Sequence, residues 1–140
     1  MNRNTVKRAT IFIFLLWVMF NFSLSQAGKV EFFTGGKKVT QEEFAKKGKN
    51  GTIIFYYENG KKSDELEFKN GKLHGKCTKW YEDGTKAEEK EFYEGKEHGK
   101  FVGWFKNGKK SIEGTLKYGK PQGKWTYWNK DGSIKREVTY

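Results

Sequence analysis

The sequence predicts an all-β protein in which β-hairpins follow one another as an antiparallel meander and form an elongated, single-layer sheet. From Gly51 onward the chain repeats every 24 residues without insertion or deletion, in units 51–74, 75–98 and 99–122 and a shorter unit 123–140. A fixed period of this size is typical of repeat proteins, whose units bury their apolar faces by stacking. Beyond residue 27 there are 19 aromatic residues but 11 Ile, Leu, Val and Met together. A deep aliphatic core is therefore not expected, and the sheet should be thin and open.

The first 27 residues are predicted to be a secretory signal peptide that is not part of the fold. A basic start with Arg3, Lys7 and Arg8 is followed by an apolar stretch over 9–22 and by a small-x-small cleavage site that ends at Ala27. The apolar stretch is shorter than the about 20 residues of a membrane span, so an uncleaved anchor is the second interpretation. We expect an exported protein, whether periplasmic, cell-surface or secreted, with no stable membrane span after cleavage.

Residues 28–50 are predicted to form a degenerate N-terminal cap unit. In the frame of a unit that starts at Ala27, Phe32 falls on position six and Phe44 on position eighteen. Thr40 and Glu43 have the spacing of a capping box, and Gly48 is a plausible helix stop. We therefore predict a strand hairpin and a short helix at about residues 40–47, an atypical end unit of the kind that repeat proteins need.

Glycine turns divide each repeat of the region 51–140 into two strands. Asn-Gly or Asp-Gly at positions nine and ten predicts a hairpin with a type I′ turn, which needs positive φ at both central residues. These glycines are Gly60, Gly84, Gly108 and Gly132. A second turn, which links one hairpin to the next, contains Gly71, Gly95 and Gly119. Because a turn recurs about every dozen residues, no helical periodicity survives in this region.

The predicted turns also give a strand register. A two-residue turn places position six opposite position thirteen and position two opposite position seventeen, so Trp80 should face Ala87 and Lys76 should face Glu91. The large aromatic residues at position six are Tyr56, Trp80, Trp104 and Trp128. Rings are expected on both faces of the sheet, as in an open layer whose rings stack along the repeat axis.

Two stretches of the chain show a family pattern. The segments GKLHGKCTKWYEDGTK, from Gly71, and GKEHGKFVGWFKNGKK, from Gly95, contain a Gly-Lys-x-x-Gly turn, an aromatic pair and a further glycine turn. This pattern resembles the bacterial variant of the membrane occupation and recognition nexus (MORN) repeat over residues 51–140. The resemblance implies a non-catalytic, elongated β-repeat used for contacts with proteins or surfaces, and related bacterial proteins are labelled YwqK-family antitoxins.

Positive charge remains in excess after removal of the predicted signal. Residues 1–27 contain three of the 28 basic residues and none of the 17 acidic ones, which leaves +8. This excess suggests an anionic partner, with Trp104, Lys109 and Lys110 as a possible binding surface. A solvated lysine face that keeps the sheet edges soluble is the alternative. Nucleic acid is an unlikely partner, because acidic residues alternate with the basic ones along each repeat.

The sequence gives little support for catalysis, and we predict no cofactor and no metal. His74 and His98 occupy equivalent positions two strands apart, roughly 9.6 Å at the usual strand spacing, too far to share a zinc ion. Glu occurs at position fifteen of every unit and is expected to pair with lysines. Cys77 takes the place of a core side chain and is interpreted as a small hydrophobic residue, with a functional thiol as the alternative.

Two functional hypotheses follow from the sequence. The first is an exported interaction module that binds a protein or an anionic surface of the cell envelope. The second is an antitoxin or immunity protein that neutralises a toxin by direct binding. The identity of the partner is not encoded in any motif.

Overall fold

The computed structural model describes residues 28–140, which form a ten-stranded antiparallel sheet with a short helix near its N-terminal end. The strands lie in the order β10-β9-β8-β7-β6-β5-β4-β3-β1-β2, so that chain neighbours pair throughout the repeats. The elements are β1 (Lys29–Thr34), β2 (Lys37–Val39), α1 (Gln41–Lys46), β3 (Gly51–Tyr56), β4 (Lys62–Lys69), β5 (Lys72–Trp80), β6 (Lys86–Tyr93), β7 (Lys96–Trp104), β8 (Lys110–Lys117), β9 (Lys120–Trp128) and β10 (Ile134–Thr139). The predicted all-β meander is confirmed, and the predicted signal peptide lies outside the described residues.

The loops around Gly60, Gly84, Gly108 and Gly132 form one long edge of the sheet, which we call the first-turn edge. In the first of them the N–H of Gly60 donates to the oxygen of Tyr57, and the N–H of Tyr57 donates to the oxygen of Lys61. Gly60 has a φ of 80°, but Asn59 does not have a positive φ. The predicted type I′ turn is therefore wrong here, and a three-residue loop that ends in a glycine takes its place.

This loop changes the register next to it. Tyr56 pairs with Lys62 and Phe55 pairs with Asp64, which leaves one bulged residue between them. Trp80 likewise pairs with Lys86 and not with Ala87, so the expected contact between positions six and thirteen is wrong. Beyond the bulge the predicted register is correct, as Lys76 pairs with Glu91.

The turns at Gly71, Gly95 and Gly119 form the opposite edge, which we call the second-turn edge. Both central residues have positive φ in each turn, for example 52° at Asn70 and 75° at Gly71. The flanking residues pair directly, as Lys69 does with Lys72. Type I′ turns therefore do occur in the protein, but at the links between hairpins.

The two faces of the sheet carry different side chains. The core face carries Ile53, Leu66 and Cys77, and the ladder face carries the position-six aromatic residues and the position-fifteen glutamates. Apolar burial on the core face is concentrated at its N-terminal end, where α1 sets Phe44 against Phe32 (5.6 Å between ring centroids). The buried residues of this cluster are Phe44, Ile53, Phe55, Leu66, Phe68, Leu73, Cys77 and Phe92.

The N-terminal segment adds a cap that differs from a true repeat. Helix α1 begins after Thr40, whose side chain accepts from the N–H of Glu43 while the Glu43 side chain accepts from the Thr40 N–H. This is the predicted capping box. However, β1 pairs with β3 so that Glu31 lies opposite Ile54, as Glu89 lies opposite Val102. Glu31 thus takes the place of a position-fifteen glutamate, and the predicted frame with Phe32 at position six is wrong.

Candidate binding surfaces

Aromatic rings and lysines alternate along the ladder face. The position-twelve lysine of one repeat lies over the position-six ring of the next, as Lys62 does over Trp80, with 5.7 Å from Nζ to the ring centroid. Lys86 lies over Trp104 at 5.3 Å in the same way. A cation over the face of an indole is attracted by the ring quadrupole. These contacts join consecutive repeats. The rings and lysines that take part in them are therefore engaged within the fold, which the composition does not indicate.

Glutamates form ion pairs with lysines of this face. Glu113 lies 2.8 Å from Nζ of Lys100 and 2.7 Å from Nζ of Lys110. These hydrogen bonds hold the pKa of the Glu113 carboxyl below its ordinary value. The corresponding lysine pairs occur at Glu89, so the expected lysine partners of the glutamate row are present. Each of these glutamates is shared by two lysines, so the lysines at positions two and twelve have acidic partners within the fold.

Glu31, in the N-terminal cap, is the first member of the glutamate row. Lys29 and Lys38 each place Nζ 2.6 Å from its carboxylate, and the hydroxyl of Tyr56 donates to it at 2.7 Å. Together these hydrogen bonds lower the pKa of Glu31 to about 2. The cap thus continues the charge pattern of the repeats.

The residues predicted as a binding surface are already engaged within the fold. Trp104 is half-buried and pairs with Lys110, whose Nζ contacts Glu113 and lies 5.9 Å from the ring centroid of Trp128. Lys109 points elsewhere, because its Nζ donates to the main-chain oxygen of Asp131 in the next loop at 2.5 Å. The structure brings Trp104 and Lys110 together but separates them from Lys109. Their role in binding stays a prediction, and their contacts give each of them a structural role.

Side chains at the first-turn edge link successive loops. The hydroxyl of Tyr57 donates to the oxygen of Trp80 at 2.6 Å, and that of Tyr81 donates to the oxygen of Trp104 at 2.8 Å. Lys61 donates to the oxygen of Asp83 at 2.7 Å, in the manner of Lys109. Polar groups at this edge are therefore largely satisfied by the protein itself.

A row of four rings lies on the ladder face beside the second-turn edge. Tyr93 sits between the two histidines, with its ring centroid 5.1 Å from that of His74 and 6.0 Å from that of His98. Tyr118 continues the row at 4.7 Å from His98. The tyrosines are 48% and 53% exposed, whereas the histidines are half-buried. The repeat pattern does not predict this row, because Tyr93 and Tyr118 occupy different repeat positions.

The cysteine and the histidine and acidic side chains are the groups of residues 28–140 that could take part in metal or thiol chemistry. Residues 28–140 contain no group of three or more His, Cys, Asp or Glu side chains arranged to hold a metal ion. Cys77 is 2% exposed, and burial raises the pKa of its thiol to about 12. Because the thiolate is the reactive form, this environment favours the structural interpretation of Cys77.

Lysines without acidic partners gather at the second-turn edge. Lys69 pairs across its turn with Lys72, and Lys117 pairs with Lys120. Like charges directly opposite each other destabilise a strand pair. Lys72 lies 3.9 Å from Glu94, but within the described part of the chain Lys69, Lys96, Lys117 and Lys120 form no ion pair. Five lysines and one glutamate thus lie at the second-turn edge, whereas lysines and acidic residues are equal in number in the loops of the first-turn edge. Only the register reveals this difference.

The repeats also match a family model. The model of the MORN repeat variant matches residues 49–70, 73–94 and 121–140. The chain therefore contains repeats of the MORN type. Residues between the second and third matched segments fold in the same way, since β7 and β8 pair as β5 and β6 do. Searches of the curated proteins and of the solved structures each gave no match. MORN repeats are commonly binding modules, which agrees with a non-catalytic repeat protein.

Proposed function

We propose that this MORN-repeat protein is an exported, non-catalytic binding module that recognises an anionic partner of the cell envelope. The observation that carries the proposal is the unequal pairing of lysines. Those at positions two and twelve of the ladder face form ion pairs with the glutamate row, whereas Lys96, Lys117 and Lys120 at the second-turn edge have no acidic partner among residues 28–140. Unpaired like charges cost stability, and an anionic ligand would offset that cost.

Export is supported by the order of basic, apolar and small residues before Gly28. Over residues 28–140, the structure contains no helix that is long and apolar enough to cross a membrane. A protein released at Gly28 would carry the +8 charge beyond the inner membrane, where acidic polymers and lipid headgroups are available to it.

The export step is tested by the mature N-terminus. We expect mass spectrometry of the full chain, produced in a bacterium with an inner and an outer membrane, to give Gly28 as the first residue in the periplasmic fraction. Replacing the small residue before the cleavage site, as Ala27→Tyr, should leave the precursor uncut. An uncut wild-type chain in the cytosol would contradict export and favour the antitoxin hypothesis.

The binding step is tested with residues 28–140 immobilised and exposed to envelope extract. Retention of acidic material should fall between low and moderate salt, because exposed charges are screened beyond about 10 Å at 0.1 M. Capture of a single protein with no dependence on salt would contradict an anionic partner.

A further inference from the structure

We propose that the second-turn edge binds an acidic polysaccharide, with the sugar rings against the row of His74, Tyr93, His98 and Tyr118 and the acidic groups against the neighbouring lysines. This inference rests on the proposed function, because export brings the protein to envelope polymers and away from nucleic acid. The lysines concerned are Lys69, Lys72, Lys96, Lys117 and Lys120, all of them exposed.

Two kinds of side chain lie side by side at this edge. The rings form three successive contacts of 5.1, 6.0 and 4.7 Å across β5 to β8, a distance of roughly 14 Å at 4.8 Å per strand. Position twenty-two supplies Lys72, Lys96 and Lys120 at intervals of two strands along the same row. A ligand that satisfies both sets must be long, negatively charged at intervals and faced with C–H groups that pack on aromatic rings. A chain of acidic sugars has all three properties.

The turn conformation at this edge exposes the ring of Tyr118. Tyr118 and Glu94 adopt φ values of 52° and 49°, which are uncommon for residues other than glycine. In Tyr118 this conformation brings the ring against His98, with more than half of its surface exposed. It thereby extends the ring row beyond the last paired residue of β8.

Two other occupants fit the geometry less well. A membrane would contact the tips of the turns, which are Asn70-Gly71, Glu94-Gly95 and Tyr118-Gly119. These tips contain no aliphatic side chain that could insert into a bilayer, and the middle turn carries the carboxylate of Glu94. An acidic peptide is commonly held at a sheet by backbone pairing along a free strand. The strands β4 to β9 are paired on both sides, so their backbone groups are already used.

The test uses residues 28–140 with polygalacturonate as the acidic polysaccharide, dextran as a neutral one and poly-L-glutamate as an acid without sugar rings. Wild-type protein should bind polygalacturonate and not dextran. Lys96→Glu with Lys120→Glu should weaken the binding by about tenfold at low salt and flatten its salt dependence. The matched control, Lys106→Glu with Lys130→Glu, makes the same change of charge at the first-turn edge and should have little effect.

Ring contact is tested with substitutions that the chain itself uses at equivalent positions. Tyr118→Asn copies Asn70, which has the same φ of 52°, and Tyr93→Lys copies Lys69. Both should keep the fold, as checked by circular dichroism and thermal melting. Tyr93→Lys should weaken polygalacturonate binding although it adds a positive charge, and should not weaken binding of poly-L-glutamate.

Three results would overturn the inference. The first is an equal loss with the first-turn control, which would indicate non-specific attraction. The second is unchanged or tighter polygalacturonate binding by Tyr93→Lys. The third is binding through the second-turn edge to phosphatidylglycerol vesicles or single-stranded DNA in the absence of polygalacturonate binding. If the variants at the second-turn edge bind polygalacturonate as the wild type does, and the wild type also binds envelope extract, the site is rejected and the proposed function still stands.

Discussion

Gly99 shows why position one of the repeat is glycine. Its φ is 109°, and a β-carbon on it would collide with the carboxylate of Glu91 on the adjacent strand. That carboxylate accepts the N–H of Lys100 at 3.0 Å, as Glu67 accepts the N–H of Lys76 at 3.2 Å. The glycine thus leaves room for a side chain that satisfies the backbone where the ladder is irregular. At the next interface Thr115 replaces the glutamate, and Gly123 has nothing within 4 Å of the same point.

A pair of substitutions tests the combined effect of the collision and the backbone conformation at position one. Gly99→Ala should lower the free energy of unfolding by more than about 1 kcal/mol, since both an unfavourable φ and the collision act on it. Gly123 has a φ of 64° and nothing near an added β-carbon, so Gly123→Ala should lower the free energy of unfolding by less. Urea unfolding of both variants measures the two losses. Equal losses of unfolding free energy would show that the Glu91 side chain moves aside without destabilising the protein.

At the scale of the elements, the turns decide the register of every hairpin. Gly108 has a φ of 80° and nothing within 4 Å of an added β-carbon, so its requirement is purely conformational. Gly108→Val should therefore destabilise the protein by more than about 1 kcal/mol, whereas Gly108→Asn should cost less because Asn tolerates this region. Thermal melting compares the two, and a harmless valine would be inconsistent with the loop described.

The sequence predicts the hairpins better than their turns. Asn-Gly and Asp-Gly suit a two-residue type I′ turn, but they also suit the last two positions of a three-residue loop. Asp83 stabilises the longer loop by accepting the N–H of Thr85 at 2.8 Å, a contact that composition does not distinguish. In contrast, a tyrosine does not predict positive φ, and the φ of Tyr118 follows from its place in the same two-residue turn as Asn70 and Glu94. The lysines of the second-turn edge could not be predicted either, because a net charge does not indicate which lysines pair with glutamates.

At the scale of the whole molecule, the carboxylate network sets the response to acid. The hydrogen bonds to Glu31 lower its pKa from an ordinary 4.5 to about 2, and the pKa values of Glu113 and Asp131 are lowered as well. The unfolded chain therefore takes up protons first as the pH falls. The stability from these groups is complete above about pH 4.5 and is lost as the pH falls towards about 2.

Urea midpoints measured across this range should decline steadily on the acid side. Glu31→Gln removes the carboxylate whose pKa is lowered to about 2 and should make the decline shallower, while Glu58→Gln serves as an exposed carboxylate control in a loop. Midpoints that stay constant from pH 5 to pH 2 would refute the network as a source of stability; about three pH units of titration would then be without effect.

The uneven core has a consequence for how unfolding is observed. Trp80, Trp104, Trp125 and Trp128 all lie from β5 onward, whereas the aliphatic cluster around Ile53 and Leu66 contains no tryptophan. Indole fluorescence will therefore report on the C-terminal repeats, and alkylation of the buried Cys77 thiol will report on the N-terminal cluster. In a chain whose repeats contact mainly their neighbours, the two signals can change at different urea concentrations, and their separation measures how far cooperativity extends along the sheet.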